Sequence, residues 1–178
     1  MNAFMQLGIT DTLAKLLYKN GIKTPTEIQR AAIPAIFKGR DIVGRSETGT
    51  GKTLAYLLPV MQRIRTDTEN TQVLIMTPTR ELAKQVFQVA GTFAKDMNID
   101  VTDVIGGRTI ENQIQKLKRD PHIVIGTPGR LLDHLKRRTL DISNAGVVVL
   151  DEADQMLAAG FREDIDALID VMPKKKQV

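Results

Sequence analysis

The chain contains no cysteine, only two histidines, and aromatic residues at just 4% of its 178 positions. Without cysteine, neither a disulfide nor a thiolate-bound metal can contribute. His122 and His134 are too few for a histidine-built metal centre, so any metal is expected to be a hard cation held by oxygen. No run approaches the ~18 apolar residues that a membrane span needs. The N-terminus also lacks the basic-then-apolar layout of a secretory signal. A cytoplasmic protein without a membrane partner is the expectation. Charge of one sign is scarce too: 25 Lys and Arg face 21 Asp and Glu, a formal +4. So mild an excess does not by itself point to nucleic acid. The local clusters at Lys116-Lys118-Arg119, Lys136-Arg137-Arg138 and Lys174-Lys175-Lys176 read as solvated helix ends and turns.

What is present is ordinary in amount and informative in order. Hydrophobic residues at 42% and charged residues at 26% describe a globular chain long enough for one sizeable core. A helix is predicted from Asp11 to Asn20, with Leu13, Leu16 and Leu17 on one face and Gly21 as its stop. Thr24-Pro25-Thr26-Glu27 predicts the next helix start, with Thr24 as N-cap, Pro25 at the first position and Glu27 completing a capping box. Short β-branched runs then recur: Asp41–Gly44, Val73–Met76, Val101–Ile105, Ile123–Ile125 and Val147–Leu150. Being apolar on both faces and separated by helical patterns, they predict parallel strands buried between helices. Arg65 to Gln72, polar and charged, reads as a surface loop.

The predicted strand Asp41–Gly44 runs into Ser46-Glu47-Thr48-Gly49-Thr50-Gly51-Lys52-Thr53, and a helical pattern with Leu54, Leu57, Leu58 and Met61 follows. That is the context of a phosphate-binding loop. Gly49 and Gly51 let the backbone curl so that its N–H groups face phosphate oxygens. Lys52 reaches the β- and γ-phosphates, and the Thr53 hydroxyl is placed to ligate Mg²⁺. The usual pattern has Gly where this chain has Ser46, so the match lies in the Gly-Lys-Thr end. Asp151 and Glu152 end the Val147–Leu150 run, at the sheet edge where ligands bind in open α/β folds. Asp151 suits the metal and Glu152 suits the attacking water, as base or orienter. The alternative is a helix N-terminus that favours acids.

Asp151-Glu152-Ala153-Asp154 spells D-E-A-D, and with it the chain resembles the N-terminal RecA-like domain of a DEAD-box ATP-dependent RNA helicase. The resemblance covers nearly the whole chain, in the family's order. Gly21 to Gln29 (G-I-K-T-P-T-E-I-Q) resembles the Q motif, with Phe4 upstream of it. Pro78-Thr79-Arg80-Glu81-Leu82-Ala83, Gly106-Gly107 and Thr127-Pro128-Gly129-Arg130 follow in place. The resemblance implies a RecA-like α/β fold with a central, mostly parallel sheet flanked by helices. It divides the chain into a Q-motif region (1–30) and an ATP-binding domain (31–178).

It also implies site roles. ATP and Mg²⁺ would be held by the phosphate loop with Lys52, Asp151 and Glu152. Phe4, Thr24 and Gln29 would lie on the adenine side, where the Gln29 amide can donate and accept at once and so suits the adenine edge. The family usually has an aromatic residue where this chain has Ile22. Pro78, Thr79, Arg80, Gly107, Thr127, Gly129 and Arg130 would hold the RNA backbone, which predicts sequence-tolerant, salt-sensitive binding. No aromatic platform for base stacking is visible.

The implied function is coupling of Mg-ATP hydrolysis to RNA binding and local unwinding. A nucleotide-gated RNA clamp would use the same motifs. A switch GTPase would need an Asn-Lys-x-Asp motif that the chain lacks. The family's Ser-Ala-Thr motif and its second RecA-like domain are expected beyond Gln177-Val178. Alone, this stretch is expected to be nearly inactive, and the expected gap in the sheet should keep the phosphate-loop strand from pairing directly with Val147–Leu150.

Overall fold

A computed structural model describes residues 3–47 and 49–178. The chain divides into two compact units, Met1–Ile64 and Arg65–Val178, so the break falls at the start of the predicted surface loop.

Unit 1 is helical. A short 3-10 turn, Met5–Leu7, precedes α1 (Asp11–Lys19), α2 (Glu27–Phe37) and α3 (Lys52–Gln62). α1 buries Leu13, Ala14 and Leu17, three residues of one helical face. The start of α2 differs from the sequence expectation. Its N-cap is Thr26, not Thr24, and the capping box is closed by Gln29. Gln29 Oε1 accepts from the Thr26 N–H at 3.0 Å. Moving the cap to Thr26 puts an amide rather than Glu27 at the box position. α2 and α3 pack on each other, with Ala32, Ile36 and Ala55 buried between them and Ile28, Ile42 and Tyr56 at the margin. The predicted boundary between residues 30 and 31 falls inside α2, which runs through it without a break.

The predicted strand Asp41–Gly44 does not form. This segment has no regular structure, and Val43 is fully exposed. A β-branched run becomes a strand only when a neighbouring strand accepts its backbone hydrogen bonds, and the described residues supply none there.

Unit 2 holds the sheet. β1 (Val73–Met76), β2 (Val101–Val104), β3 (Ile123–Gly126) and β4 (Val147–Leu150) pair in the order β2-β3-β1-β4, every pair parallel. Helices α4 (Arg80–Ala94), α5 (Ile110–Leu117), α6 (Pro128–Lys136), α7 (Ala153–Ala158) and α8 (Arg162–Asp170) connect or follow the strands. All of β1 and β3 is buried, as expected of central strands covered on both faces. Leu74, Val124 and Val148 share one core with Leu131, Leu140, Met156, Ile165 and Leu168.

β4 is only half-buried. Its side away from β1 receives Gln177, which forms a parallel bridge with Val147; the Val148 N–H donates to Gln177 O and the Gln177 N–H donates to Gly146 O, both at 2.9 Å. The sheet contains no strand from residues 41–44.

One glycine is required by packing. A Cβ on Gly126 would overlap the Val104 carbonyl oxygen across the β2–β3 pair and would also meet Leu131 Cγ at 2.9 Å. Gly126→Ala is therefore expected to destabilise the protein by about 1–3 kcal/mol. Gly91, within α4, is the opposite case, because a Cβ added there would meet no atom within 4 Å. Gly91→Ala is expected to stabilise by about 0.5–1 kcal/mol through helix propensity. Urea unfolding of both variants checks the pair.

Candidate functional site

The candidate residues fall into one set in each unit. In unit 1 the phosphate loop is closed on itself by side-chain hydrogen bonds. Thr50 Oγ1 donates to the Glu47 carbonyl at 2.6 Å, so the Ser46 hydroxyl donates to Thr50 Oγ1, at 2.7 Å. Lys52 Nζ turns back to donate to the Ser46 carbonyl at 2.8 Å. Ser46, which departs from the usual glycine, thus contributes both a side chain and a carbonyl to the loop's closure. Thr48, the remaining predicted loop residue, lies outside the described residues.

Gly49 and Gly51 both have left-handed backbones, with φ of 80° and 93°. Gly51 is doubly constrained, because a Cβ there would sit 2.5 Å from Gln29 Nε2 and 2.9 Å from Thr26 Oγ1. The reason for that approach is a hydrogen bond: Gln29 Nε2 donates to the Gly51 carbonyl at 3.1 Å. One buried amide therefore closes the start of α2 and grips the phosphate loop at the start of α3. It keeps a second N–H and a second lone pair. Phe4 is fully buried, and its carbonyl accepts the N–H groups of Leu7 and Ile9. Thr24 is exposed.

The chemistry of these donors fits the expected ligands. The curled loop, with its lysine in the concavity, suits phosphate oxygens. Thr53, in the first turn of α3, carries a hydroxyl of the kind a hard cation takes, and within unit 2 Asp151 carries a carboxylate of that kind.

In unit 2 the parallel register decides the arrangement. Met76 of β1 is level with Gly126 of β3 and Leu150 of β4, and Val104 of β2 is level with Gly126. The four segments that leave these ends therefore emerge along one edge of the sheet: Thr77–Arg80, Ile105–Gly107, Thr127–Arg130 and Asp151–Glu152. Asp151 is buried, and its N–H donates to the Met76 carbonyl at 3.0 Å. Glu152 has a left-handed backbone, φ 55° and ψ 50°, which is uncommon for a residue with a Cβ. It is the N-cap residue of α7 and makes no side-chain capping hydrogen bond.

Pro78, Thr79, Arg80, Gly106, Thr127, Gly129 and Arg130 line one cleft of about 500 Å³, joined by Asp133 and Phe161. Thr79 caps α4, accepting from the Leu82 N–H at 3.2 Å, and Thr127 is the N-cap of α6 with Pro128 in the first turn. Arg80 lies across the two glycines, where a Cβ on Gly106 would meet its Nη2 at 2.8 Å and one on Gly107 its Nη1 at 2.5 Å. Gly107 also has φ of 78°. Among the described residues, neither the Arg80 nor the Arg130 guanidinium forms a salt bridge. The surface ion pair that could have explained Arg80 is thus absent among them. Asp133 pairs with Arg137 at 2.8 Å; that hydrogen bond holds its carboxyl below the usual range, with Arg130 adding to the effect.

The sequence reading missed Asp133 and Phe161, which no motif or spacing flagged. It also passed over His134 as anything but a possible ligand. His134 is fully buried on α6, its Nδ1 2.8 Å from Thr139 Oγ1 and its Nε2 2.9 Å from Gln113 Oε1. His122 immediately precedes β3, its Nδ1 accepting from the Asp100 N–H at 2.9 Å.

Residues 26–178 match the family model described as DEAD/DEAH box helicase. The chain belongs to the DEAD/DEAH box helicase family. It is 43% identical over 177 residues to the DEAD-box ATP-dependent RNA helicase CshA of Bacillus cereus, covering 99% of this chain and 34% of that protein. To the ATP-dependent RNA helicase DeaD of Buchnera aphidicola it is 45% identical over 177 residues, covering 99% of this chain and 30% of the relative. The crystal structure of a DEAD box protein from the hyperthermophile Methanococcus jannaschii is similar with a TM-score of 0.93 at 35% identity. That match covers 98% of this chain and 48% of the other. The fold is thus the RecA-like one of this family, and the chain spans about a third of the length of these curated relatives. No described helix is long and apolar enough to cross a membrane.

Burial holds the His134 imidazole below its ordinary pKa of 6.5, with the nearby Arg130 charge acting in the same direction. As pH falls, the unfolded chain takes up this proton before the folded one. The stabilisation is therefore complete above the ordinary value and is lost as pH falls through the lower, folded value. Urea unfolding midpoints followed from about pH 7.5 down to about pH 5 should fall, and fall less in His134→Gln.

Proposed function

We propose that this chain is the ATP-binding domain of an ATP-dependent RNA helicase, in which nucleotide hydrolysis is coupled to RNA binding and local unwinding. The observation that carries this reading is the cleft in unit 2. Two guanidinium groups that form no salt bridge among the described residues, the glycines Gly106 and Gly129, and the Thr79-capped N-terminus of α4 share one concave surface. Cationic and backbone N–H donors of that kind suit a chain of phosphates.

Lys52 and the loop Ser46–Thr53 take the triphosphate. The intraloop contact of Lys52 with the Ser46 carbonyl gives way to phosphate oxygens, and the second N–H and lone pair of Gln29 face adenine. Thr24 lies on the same side, and Phe4 backs the base from within the core. Thr53 and Asp151 supply the oxygen donors for Mg²⁺, which when bound neutralises phosphate charge. Glu152 orients the attacking water and accepts its proton as the bond to the γ-phosphorus forms and ADP leaves. In unit 2, Arg80 and Arg130 pair with RNA phosphates, while Pro78, Thr79, Gly107, Thr127 and Gly129 let the RNA backbone approach closely. A second RecA-like domain, which the greater length of the relatives has room for, would complete both sites.

The reading is tested in the protein with its complete natural chain. Lys52→Ala is expected to abolish ATP binding or turnover. Glu152→Gln should keep nucleotide binding but lose hydrolysis, and Arg130→Ala should weaken RNA equally for unrelated sequences while lowering the salt slope by about 0.7. Unaltered RNA-stimulated turnover in the Lys52 variant would refute the site, and a sequence-dependent loss at Arg130 would refute backbone recognition.

A further inference from the structure

Two buried side chains join two walls of the unit 2 cleft without lining it. Gln113, on α5, is 2% exposed, and His134, on α6, is 0% exposed. Gln113 Nε2 donates to the carbonyl of Ile105, the residue before Gly106. Its Oε1 lies 2.9 Å from His134 Nε2. The other ring nitrogen lies 2.8 Å from Thr139 Oγ1, which is itself 3.1 Å from the His134 carbonyl. Four polar groups, drawn from the strand-to-helix loop after β2, from α5, from α6 and from the turn after α6, form one chain.

The directions of the Gln113 hydrogen bonds are determined by elimination. The Ile105 carbonyl can only accept, so the Gln113 amide nitrogen faces it and the amide oxygen faces the imidazole. That oxygen needs an N–H, so His134 carries a proton on Nε2. The other ring nitrogen faces Thr139 Oγ1, whose hydroxyl donates to the His134 carbonyl. Both ring nitrogens therefore have polar partners within the protein.

The chain's ends matter for RNA. At one end, the Ile105 carbonyl anchors the segment on which Gly106 and Gly107 pack against Arg80. At the other, His134 lies one helical turn after Arg130 on α6, the helix that Thr127 caps. We propose that Gln113 and His134 are positioning residues for the RNA site, holding the Gly106–Gly107 segment with its stacked Arg80 at a fixed separation from Thr127–Arg130. This rests on the reading of the cleft given above. The physical reason is that adjacent phosphates on one strand have a set spacing, and donors on two independent loops match it only if the loops cannot slide. A buried hydrogen-bonded amide and imidazole supply that restraint, whereas apolar contact would permit sliding.

The test uses the protein with its complete natural chain and a labelled single-stranded polyuridine oligonucleotide. Gln113→Leu and His134→Leu are each expected to weaken RNA binding about tenfold, leaving nucleotide affinity and the maximal ATPase rate at saturating RNA unchanged. The double variant should be no worse than either single one, since both break the same link. His134→Gln, whose amide can still donate to Gln113 Oε1, should restore binding to within about threefold of the parent. Thr139→Val, a milder change at the chain's outer end, gives a smaller loss and serves if either leucine variant does not fold. Unchanged RNA affinity in these variants, or a parallel loss of nucleotide affinity and maximal rate, would overturn the positioning role. Arg130→Ala separates the two levels of the argument. If it weakens RNA and the Gln113, His134 and Thr139 variants do not, only the positioning role fails; if it too has no effect, the cleft reading fails with it.

Discussion

The common register of the parallel ladder is the constraint on which the rest of unit 2 depends. Because every strand pair is parallel, the four strands end on the same side, and the pairing of Met76 and Val104 with Gly126, and of Met76 with Leu150, makes them end level. Segments far apart in sequence are thereby delivered to one edge. A parallel sheet also needs helical crossovers, so most of these segments lead straight into a helix N-terminus. Thr79 and Thr127 occupy such caps, and the residues that follow them, Arg80 in α4 and Gly129 and Arg130 in α6, reach the cleft from the first turn of each helix. Gly126 permits the close contact between β2 and β3 on which that alignment relies.

In unit 1 a single amide has a comparable position. Gln29 completes the capping box of α2 and donates to Gly51, so the start of one helix and the phosphate loop of the next are held together. Gly51 is without a Cβ because the amide and Thr26 occupy that space. A residue expected to recognise a base thus has a structural duty as well, and its remaining hydrogen-bonding capacity is what is left for a ligand. The hydrogen bonds among Ser46, Glu47, Thr50 and Lys52 show why a serine is compatible with this loop: it takes part in the closure.

Much of this was legible in sequence. β1 and β4 match their apolar runs, β2 and β3 do so within a residue, and the helices follow the predicted periodicity. Buried parallel strands advertise themselves because both faces must be apolar. The failures have physical causes. Asp41–Gly44 is β-branched, but strand formation depends on a partner's backbone groups, which no local pattern reveals. Thr24 and Thr26 are both good caps; the choice between them rests on where the Gln29 amide can find a second partner, the Gly51 carbonyl. Asp133, Phe161 and the Gln113–His134 pair carry no periodic or motif signal, since what they do is defined by neighbours from other elements.

The amino-acid sequence by itself determined the α/β class, the family motifs and their order, and the glycine-rich turn of Gly49 and Gly51 before α3. These follow from local patterns, where side-chain type and spacing act within a few residues. Only the tertiary structure decided that Arg80 lies on Gly106 and Gly107, that Glu152 has a left-handed backbone, and that a buried histidine links α6 to the loop after β2. Those features arise from contacts between segments distant in sequence, and such contacts exist only once the sheet has set its register.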